Sequence, residues 1–289
     1  MSKILAVTCN PSFDKTLLVD IFKPGTEMRV REWRMVPGGK GVNVARGLQA
    51  LGVSVHALTL CDALPVLPRM NTTIMDAKGV STRVLEPGPL LDRAQVQKFE
   101  AFLKGALQDV NAIVLSGSLP PGMPSDFYAR IMKEAQKRHV MTVLDTSGAA
   151  LTKGLKAGPF IVKPNRDEAE AICGFSLSSD AAVKKALQYF TGRGKNIVLL
   201  SLGESGLVGF DGSRIFKARG PVISKGLTVG CGDAALAGFL AGYFKGDAFE
   251  DCLRLAVACG AANVGAKMPG AVDTKVVLKF MKQIRINRV

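Results

Sequence analysis

From residue 92 onward the chain alternates amphipathic helical stretches with short, uninterrupted apolar runs, and this alternation leaves few architectures open to it. The runs are "AIVLS" (112–116), "VMTVLD" (140–145), "PFIVK" (159–163) and "NIVLLS" (196–201), interspersed with helical periodicity near 92–108, 124–138, 167–173 and 180–190. Strands that are apolar on both faces need cover on both faces. Separated by helices, they pair in parallel, which predicts an α/β fold with a mainly parallel central sheet flanked by helices. "ILAVT" (4–8) has the same character and should join that sheet.

Residues 16–36 and 72–85 break the pattern. "TLLVDIF", "MRVREWRMV", "TTIMD" and "STRVLE" are short, partly alternating strands with exposed charges, and they predict a small β-sheet standing off the main body as a lid. Residues 1–289 then form one domain with the lid inserted in it. No run reaches the roughly 18 apolar residues of a membrane span, and the apolar run in "MSKILAVTCN" is too short for a secretory leader, so a cytoplasmic protein without a membrane partner is expected. The six cysteines lack C-x-x-C spacing and are expected to be reduced thiols. With only two histidines, His56 in a strand-like run and His139 at a basic helix end, neither a zinc site nor a histidine triad finds support. A formal charge of +14 attracts anions, but the three tyrosines and one tryptophan are not interleaved with the basic residues, which argues against nucleic acid. "DTKVVLKFMKQIRINRV" (273–289) reads as a capped amphipathic helix with Val276, Val277, Phe280 and Ile284 inward.

The residues after each strand carry the functional signal. "CNPSFDK", "GSLPPG", "TSG", "PNRDE" and "LGESG" gather small, polar and charged groups at strand carboxyl ends, where an open α/β sheet binds its ligands. Two glycine-rich stretches, "PGGKGVNVARGLQALG" (37–52) and "TVGCGDAALAGFLAGYF" (228–244), each lead into a helix, and neither matches the standard nucleotide loops. Asp233 is then either an N-cap or an acid beside amides of Gly230, Cys231 and Gly232 that hold a phosphate. Lys40 either belongs to an ordinary tight turn or binds an anionic group. Asn165 and Glu168 in "KPNRDE" form either a capping box or oxygen ligands for a hydrated Mg²⁺, and Asp145 in "LDTSG" is similarly ambiguous.

Together these stretches resemble the ribokinase-like (PfkB) carbohydrate kinases, 37–52 matching their N-terminal signature and 228–244 their C-terminal one. "NPSFDKT", "RMNTTIMD", "EPGP", "LSGSLPPG", "VKPNRDE" and "SLGESG" are most similar to the branch acting on ketohexose phosphates. The resemblance implies a three-layer ribokinase-like fold and ATP-dependent, Mg²⁺-assisted phosphorylation of fructose 1-phosphate, with tagatose 6-phosphate or a non-catalytic sugar-phosphate sensor as alternatives. It implies Asp233 as catalytic base and Gly230, Cys231 and Gly232 as anion hole. Asp14, Gly38, Gly39, Lys40, Asn43 and Asn71 would hold the sugar, and Arg69, with Lys40, its phosphate. Lys163, Asn165, Ser201, Gly203 and Gly206 fall on the nucleotide side, Asn263 in the adenine pocket, and Glu168, Asn165 and Asp145 on the metal side. A homodimer through the lid is the expected assembly. The chain departs from the family after "ALTLCD", where only "ALPVLP" stands in place of a glycine turn, a helix and a further lid strand. A thiol at a helix start, as at Cys231, is expected to be unusually acidic.

Overall fold

The computed structural model describes residues 3–191, 196–221, 223, 226 and 228–289. The chain begins with β1 (Ile4–Thr8), β2 (Ser12–Leu18), β3 (Glu32–Gly38), α1 (Lys40–Ala50), β4 (Val55–Thr59), β5 (Arg69–Met75) and β6 (Ser81–Leu85). α2 (Arg93–Ala106), β7 (Ala112–Ser116), α3 (Phe127–Lys137), β8 (Met141–Asp145), α4 (Gly148–Leu155), β9 (Ile161–Val162), α5 (Arg166–Cys173) and α6 (Asp180–Phe190) follow. It ends with β10 (Ile197–Ser201), β11 (Leu207–Phe210), β12 (Ile215–Arg219), α7 (Cys231–Lys245), α8 (Phe249–Val264), α9 (Thr274–Met281) and β13 (Arg285–Arg288).

The main sheet runs β13-β12-β11-β10-β9-β8-β7-β1-β4, parallel from β10 to β4 and antiparallel from β10 to β13. Alternate residues of its inner strands feed two cores. Leu5, Val7, Ile113, Leu115 and Leu144 pack with Phe99 of α2 and Phe127 and Tyr128 of α3; Ile4, Ala6, Ala112, Val114 and Val143 pack with Val44, Leu48, Phe239, Leu240 and Leu253 of α1, α7 and α8. Each such side chain contributes about 1.5–3 kcal/mol by leaving water, so the strand register is firmly set. That register aligns Thr8, Ser116 and Asp145 at the carboxyl ends of β1, β7 and β8. α7 is buried for most of its length between the sheet, α1 and α8.

A second sheet, ordered β3-β2-β5-β6, forms the lid. Its strands start earlier than the alternation suggests, at Ser12 and Arg69, so they reach down to the rim of the main sheet. Residues 63–68 carry no regular structure, and the four lid strands pair without the two elements that stretch lacks.

Three expectations need correction. The C-terminal helix, capped by the Asp273 carboxylate, stops at Met281, and 285–288 cross back as an edge strand on β12 that keeps Ile284 buried beneath it. "PFIVK" forms only the two-residue strand β9. The antiparallel strands β11 and β12 and the helices α4 and α8 add to the expected elements. His56 and His139 are both exposed, and no helix among the described residues is long and apolar enough to cross a membrane.

Candidate active site

A cavity of about 980 Å³ lies between the carboxyl ends of the parallel strands and the inner face of the lid. Its floor is the start of α7. Gly230 takes a left-handed conformation (φ 84°) ahead of the helix, and a Cβ there would lie 2.5 Å from the Gly270 nitrogen, so both the backbone angle and the close packing require glycine. The first turn of α7 therefore opens on the cavity through Gly230, Cys231 and Gly232. A Cβ on Gly232 would lie 3.2 Å from Lys163 Nζ, which places an ammonium against the positive end of the helix.

The N-cap of α7 is Gly230, with Asp233 in the first turn, and Asp233 Oδ2 accepts a hydrogen bond from Asn43 Nδ2 at 2.8 Å. Burial first, and the negative charge of Asp145 second, raise its pKa from 3.8 to about 6, against the pull of Lys40, the Asn43 amide and Lys163. A carboxyl tuned near neutral pH beside amide groups is suited to take a proton. The same burial, together with the Asp233 charge, pushes the Cys231 thiol up to about 11, so the expected acidic thiol is not formed. Desolvation outweighs the helix end here.

Asp145, expected on the metal side, is fully buried, does not line the cavity, and serves as counter-ion to two lysines. Its Oδ1 lies 2.8 Å from Lys40 Nζ and its Oδ2 3.2 Å from Lys163 Nζ. Burial works to raise its pKa, but Lys163 and Lys40 prevail and hold it below the usual carboxylate value. Lys40 is shifted the other way: burial lowers it, while Asp145, Asp233 and Glu168 raise it above an ordinary lysine.

Asn165 and Glu168 do form the capping box of α5. Asn165 Oδ1 accepts from the Glu168 amide at 2.8 Å, and Glu168 Oε2 from the Asn165 amide at 2.9 Å. Glu168 nevertheless lines the cavity, with Oε1 3.8 Å from Lys40 Nζ. Among the described residues no cluster of three or more His, Cys, Asp and Glu could cage a metal ion. One cavity-facing carboxylate with an oxygen outside the capping box fits a hydrated Mg²⁺ bound mainly by phosphates and water.

The lid supplies the opposite wall. Asp14 Oδ1 accepts from Ser12 Oγ at 2.8 Å and from Asn71 Nδ2 at 2.9 Å, linking β2 to β5. Gly38 lies outside the cavity lining and makes room for Asp14, since a Cβ there would sit 2.2 Å from Asp14 Oδ2. Gly39, at φ 110°, turns the chain so that α1 can present Lys40 and Asn43 to the cavity. Arg69 donates to the Glu86 carbonyl at 2.9 Å and stands in the cavity wall beside Asn71 and Arg83. Burial, above all, lowers its pKa, Asp14 pulls it back up, and the like charge of Arg83 lowers it further. Ser201, Gly203, Gly206, Leu207, Pro221, Ile223, Val257, Ala261 and Val264 also line the cavity and give it a more apolar slot.

The family model for pfkB family carbohydrate kinases matches residues 71–275. The chain is 34% identical over 282 residues to a 1-phosphofructokinase of Xanthomonas campestris pv. campestris, covering 88% of each protein. The chain belongs to the pfkB carbohydrate kinase family. It superposes on phosphofructokinase-2 from Escherichia coli in complex with substrates and products with a TM-score of 0.86 at 26% identity, over 98% of this chain and 99% of that one. As a pfkB kinase the chain is a phosphotransferase with an alcohol acceptor on a ribokinase-like fold.

Of the residues singled out in the sequence, Asp14, Gly39, Lys40, Asn43, Arg69, Asn71, Lys163, Asn165, Glu168, Ser201, Gly203, Gly206, Gly230, Cys231, Gly232 and Asp233 all border this one cavity. Asn263 does not. It is buried in α8 and donates to the carbonyls of Met268 at 3.2 Å and Ala271 at 3.0 Å, holding the loop ahead of α9. The slot is lined instead by Val257, Ala261 and Val264, whose spacing of four and three along one face of α8 was a readable signal. Arg83 was also missed. It pairs in register with Thr73, two residues from Asn71, so strand alternation alone puts it on the inner face of the lid.

Proposed function

We propose that this pfkB kinase transfers the terminal phosphoryl group of ATP to a hydroxyl of a ketohexose phosphate, with fructose 1-phosphate as its preferred acceptor. The observation that carries the reading is Asp233, a buried carboxyl that borders the cavity at the glycine-rich start of α7, with its pKa lifted to about 6. Asp233 accepts the proton of the attacking hydroxyl. The amides of 230–232 and the Lys163 ammonium stabilise the charge that develops on the transferred group, and their fixed positions avoid reorganisation during the reaction. Arg69, flanked by Arg83, grips the phosphate already on the sugar, while Asp14, Asn71 and Asn43 hold its hydroxyls. The apolar slot between Leu207 and α8 takes the adenine, with Ser201, Gly203 and Gly206 along the nucleotide. Bound Mg²⁺ supplies charge neutralisation on the phosphates, and Glu168 with Asn165 would hold its water shell.

The 34% relative named 1-phosphofructokinase favours fructose 1-phosphate. A solved phosphofructokinase-2 in complex with fructose-6-phosphate, at 25% identity, supports a second reading with that isomer as acceptor. Coupled ADP release with fructose 1-phosphate, fructose 6-phosphate, tagatose 6-phosphate, free fructose and nucleosides separates them. The highest kcat/KM should fall on fructose 1-phosphate; a higher value on free fructose or a nucleoside overturns the assignment, and ATP binding without turnover of any acceptor makes the protein a sensor.

We place the working assembly as a homodimer through the outer face of the lid, in the cytoplasm, with the α/β body and lid acting as one domain. Phe13, Leu17, Trp33, Met35 and Val84 share the lid face opposite Asp14 and Asn71, and Trp33 is 60% and Val84 57% exposed. These apolar side chains, with Lys15 among them, can meet their own copies across a two-fold axis. Trp33→Lys combined with Val84→Lys should convert the dimer to a monomer in light scattering; an unchanged mass rules this face out.

A further inference from the structure

Arg46 lies one turn beyond Asn43 on α1, so both side chains share a helix face, yet Arg46 does not line the cavity. Its half-buried guanidinium donates in three directions: from Nη1 to Asn43 Oδ1 at 3.0 Å and to the Pro269 carbonyl, and from Nη2 to the Pro37 carbonyl at 2.8 Å. The three acceptors belong to different parts of the site. Asn43 donates to Asp233, Pro37 sits at the end of lid strand β3, and Pro269 packs against Gly230 at the start of α7.

A carboxamide presents an acceptor at one end and a donor at the other, and its two orientations differ by a half-turn. A guanidinium can only donate. With Arg46 on Oδ1, the Nδ2 end of Asn43 must face Asp233, as its 2.8 Å bond shows. We propose that Arg46 is a positioning residue for the reaction: it locks the Asn43 amide in the orientation that donates to Asp233, and it ties that orientation to the end of lid strand β3 at Pro37 and to the turn that backs Gly230. The proposal rests on Asp233 being the base of the reaction.

The lock has a chemical consequence. A donor on Asp233 favours the ionised, proton-accepting form, whereas a reversed amide would set its oxygen against the carboxylate and favour the protonated form. The other charged groups that act on Asp233 are Asp145, which opposes ionisation, and Lys40 and Lys163, which favour it; the Arg46 charge is also felt at Asp233 and Asp14. Arg46 therefore has two routes to Asp233, one through the amide and one through its own charge, and they are separable.

The test follows the Asp233 carboxyl by ¹³C NMR in the ligand-free protein, assigned with Asp233→Asn, alongside kcat and KM with the sugar phosphate. Arg46→Met should raise the Asp233 titration by about half a pH unit or more, in the same direction as Asn43→Ala, and the double variant should move it by clearly less than the sum of the two single shifts. The acid limb of kcat should move with it, with KM for ATP within about twofold of wild type. Arg46→Lys, which keeps the charge on a single donor, should fold where Met does not and should shift the titration by less. A wild-type titration in Arg46→Met with only a lower Tm makes Arg46 a structural anchor and overturns the proposal. So do additive shifts in the double variant, which would mean charge acting alone. If Asp233→Asn turns over normally, the base assignment fails by itself, and the NMR comparison still reports whether Arg46 sets the amide.

Discussion

Replacing Asp233 with asparagine should make the protein more stable and almost inactive, and the stability gain should depend on pH in one direction. The folded carboxyl titrates near 6 against 3.8 for the ordinary group, which makes ionisation in place harder by about 3 kcal/mol at roughly 1.4 kcal/mol per tenfold. Between those two values the folded state holds a proton that the unfolded state has released, so stability falls as pH rises through this window and stays low above it. Asparagine is nearly isosteric, never ionises, and its oxygen can accept the Asn43 bond. At pH 8 Asp233→Asn should therefore gain about 1–3 kcal/mol, the lower part of that span reflecting Asn43, Lys40 and Lys163 contacts tuned to a charge. With about 2 °C per kcal/mol for a chain of this size, Tm should rise by about 2–6 °C at pH 8 and by nothing near pH 4. Thermal and urea denaturation across pH 4–8, read beside turnover, check both halves. The wild-type rate should climb through pH 6 as Asp233 ionises, and the variant should lose about 10²–10⁴ in kcat. A variant that is less stable at every pH would show that the carboxylate is not held at a cost. Near-normal turnover would show that no proton passes through it.

Further perturbations address the other parts of the site. Arg69→Met should lower kcat/KM for the phosphorylated ketohexose by about 10²–10⁴ while leaving any slow reaction with free fructose unchanged, and parallel losses on both would remove Arg69 from phosphate binding. Glu168→Gln should raise the Mg²⁺ concentration for half-maximal rate with little change in Tm, because the amide oxygen can still accept the Asn165 bond of the capping box; a lower Tm with unchanged metal dependence would leave Glu168 a cap alone. Asp145→Asn should destabilise the fold by about 3–5 kcal/mol in urea denaturation, since it strands the buried Lys163 charge, and should move the acid limb of kcat to lower pH by removing a negative neighbour of Asp233. A limb that stays in place would mean that Asp145 does not act on Asp233.

The sheet was legible because its central strands are apolar on both faces, and only parallel pairing between helix layers satisfies that pattern. The edge was not. β12 and β13 bury one side at most, β11 is only four residues long, and 285–288 continue the basic, amphipathic character of the helix before them, so periodicity alone extends that helix past Met281. In the site, the residue types leading into helices, "NRDE" and "GCGD", marked Glu168 and Asp233, whereas Asp14 and Asn43 were legible only through the resemblance of "NPSFDKT" and "PGGKGVNVARGLQALG" to the family. Asp145 and Asn263 show the limit. A strand-end carboxylate looks the same in sequence whether it faces a ligand or two lysines distant in the chain, and a helical asparagine gives no sign of which loop it holds. Arg46 is a related case, an unremarked basic residue whose three acceptors lie on α1, β3 and the loop before α9.

Asp145 and Asp233 also explain each other. Both are buried, and a low-dielectric setting opposes the charge of each; what separates them is the company each keeps. Lys40 and Lys163 converge on Asp145 at 2.8 and 3.2 Å and keep it ionised, while Asp233 meets the neutral amide of Asn43 at 2.8 Å. With Asp145 fixed as an anion, its field adds to burial in raising Asp233. Two carboxyls with environments that push their affinities apart can divide the labour of one site, one holding cations in place and the other exchanging protons. The lysines benefit as well. Lys163, 4% exposed and 3.2 Å from Asp145 Oδ2, is held next to Gly232, where its ammonium adds to the positive end of α7.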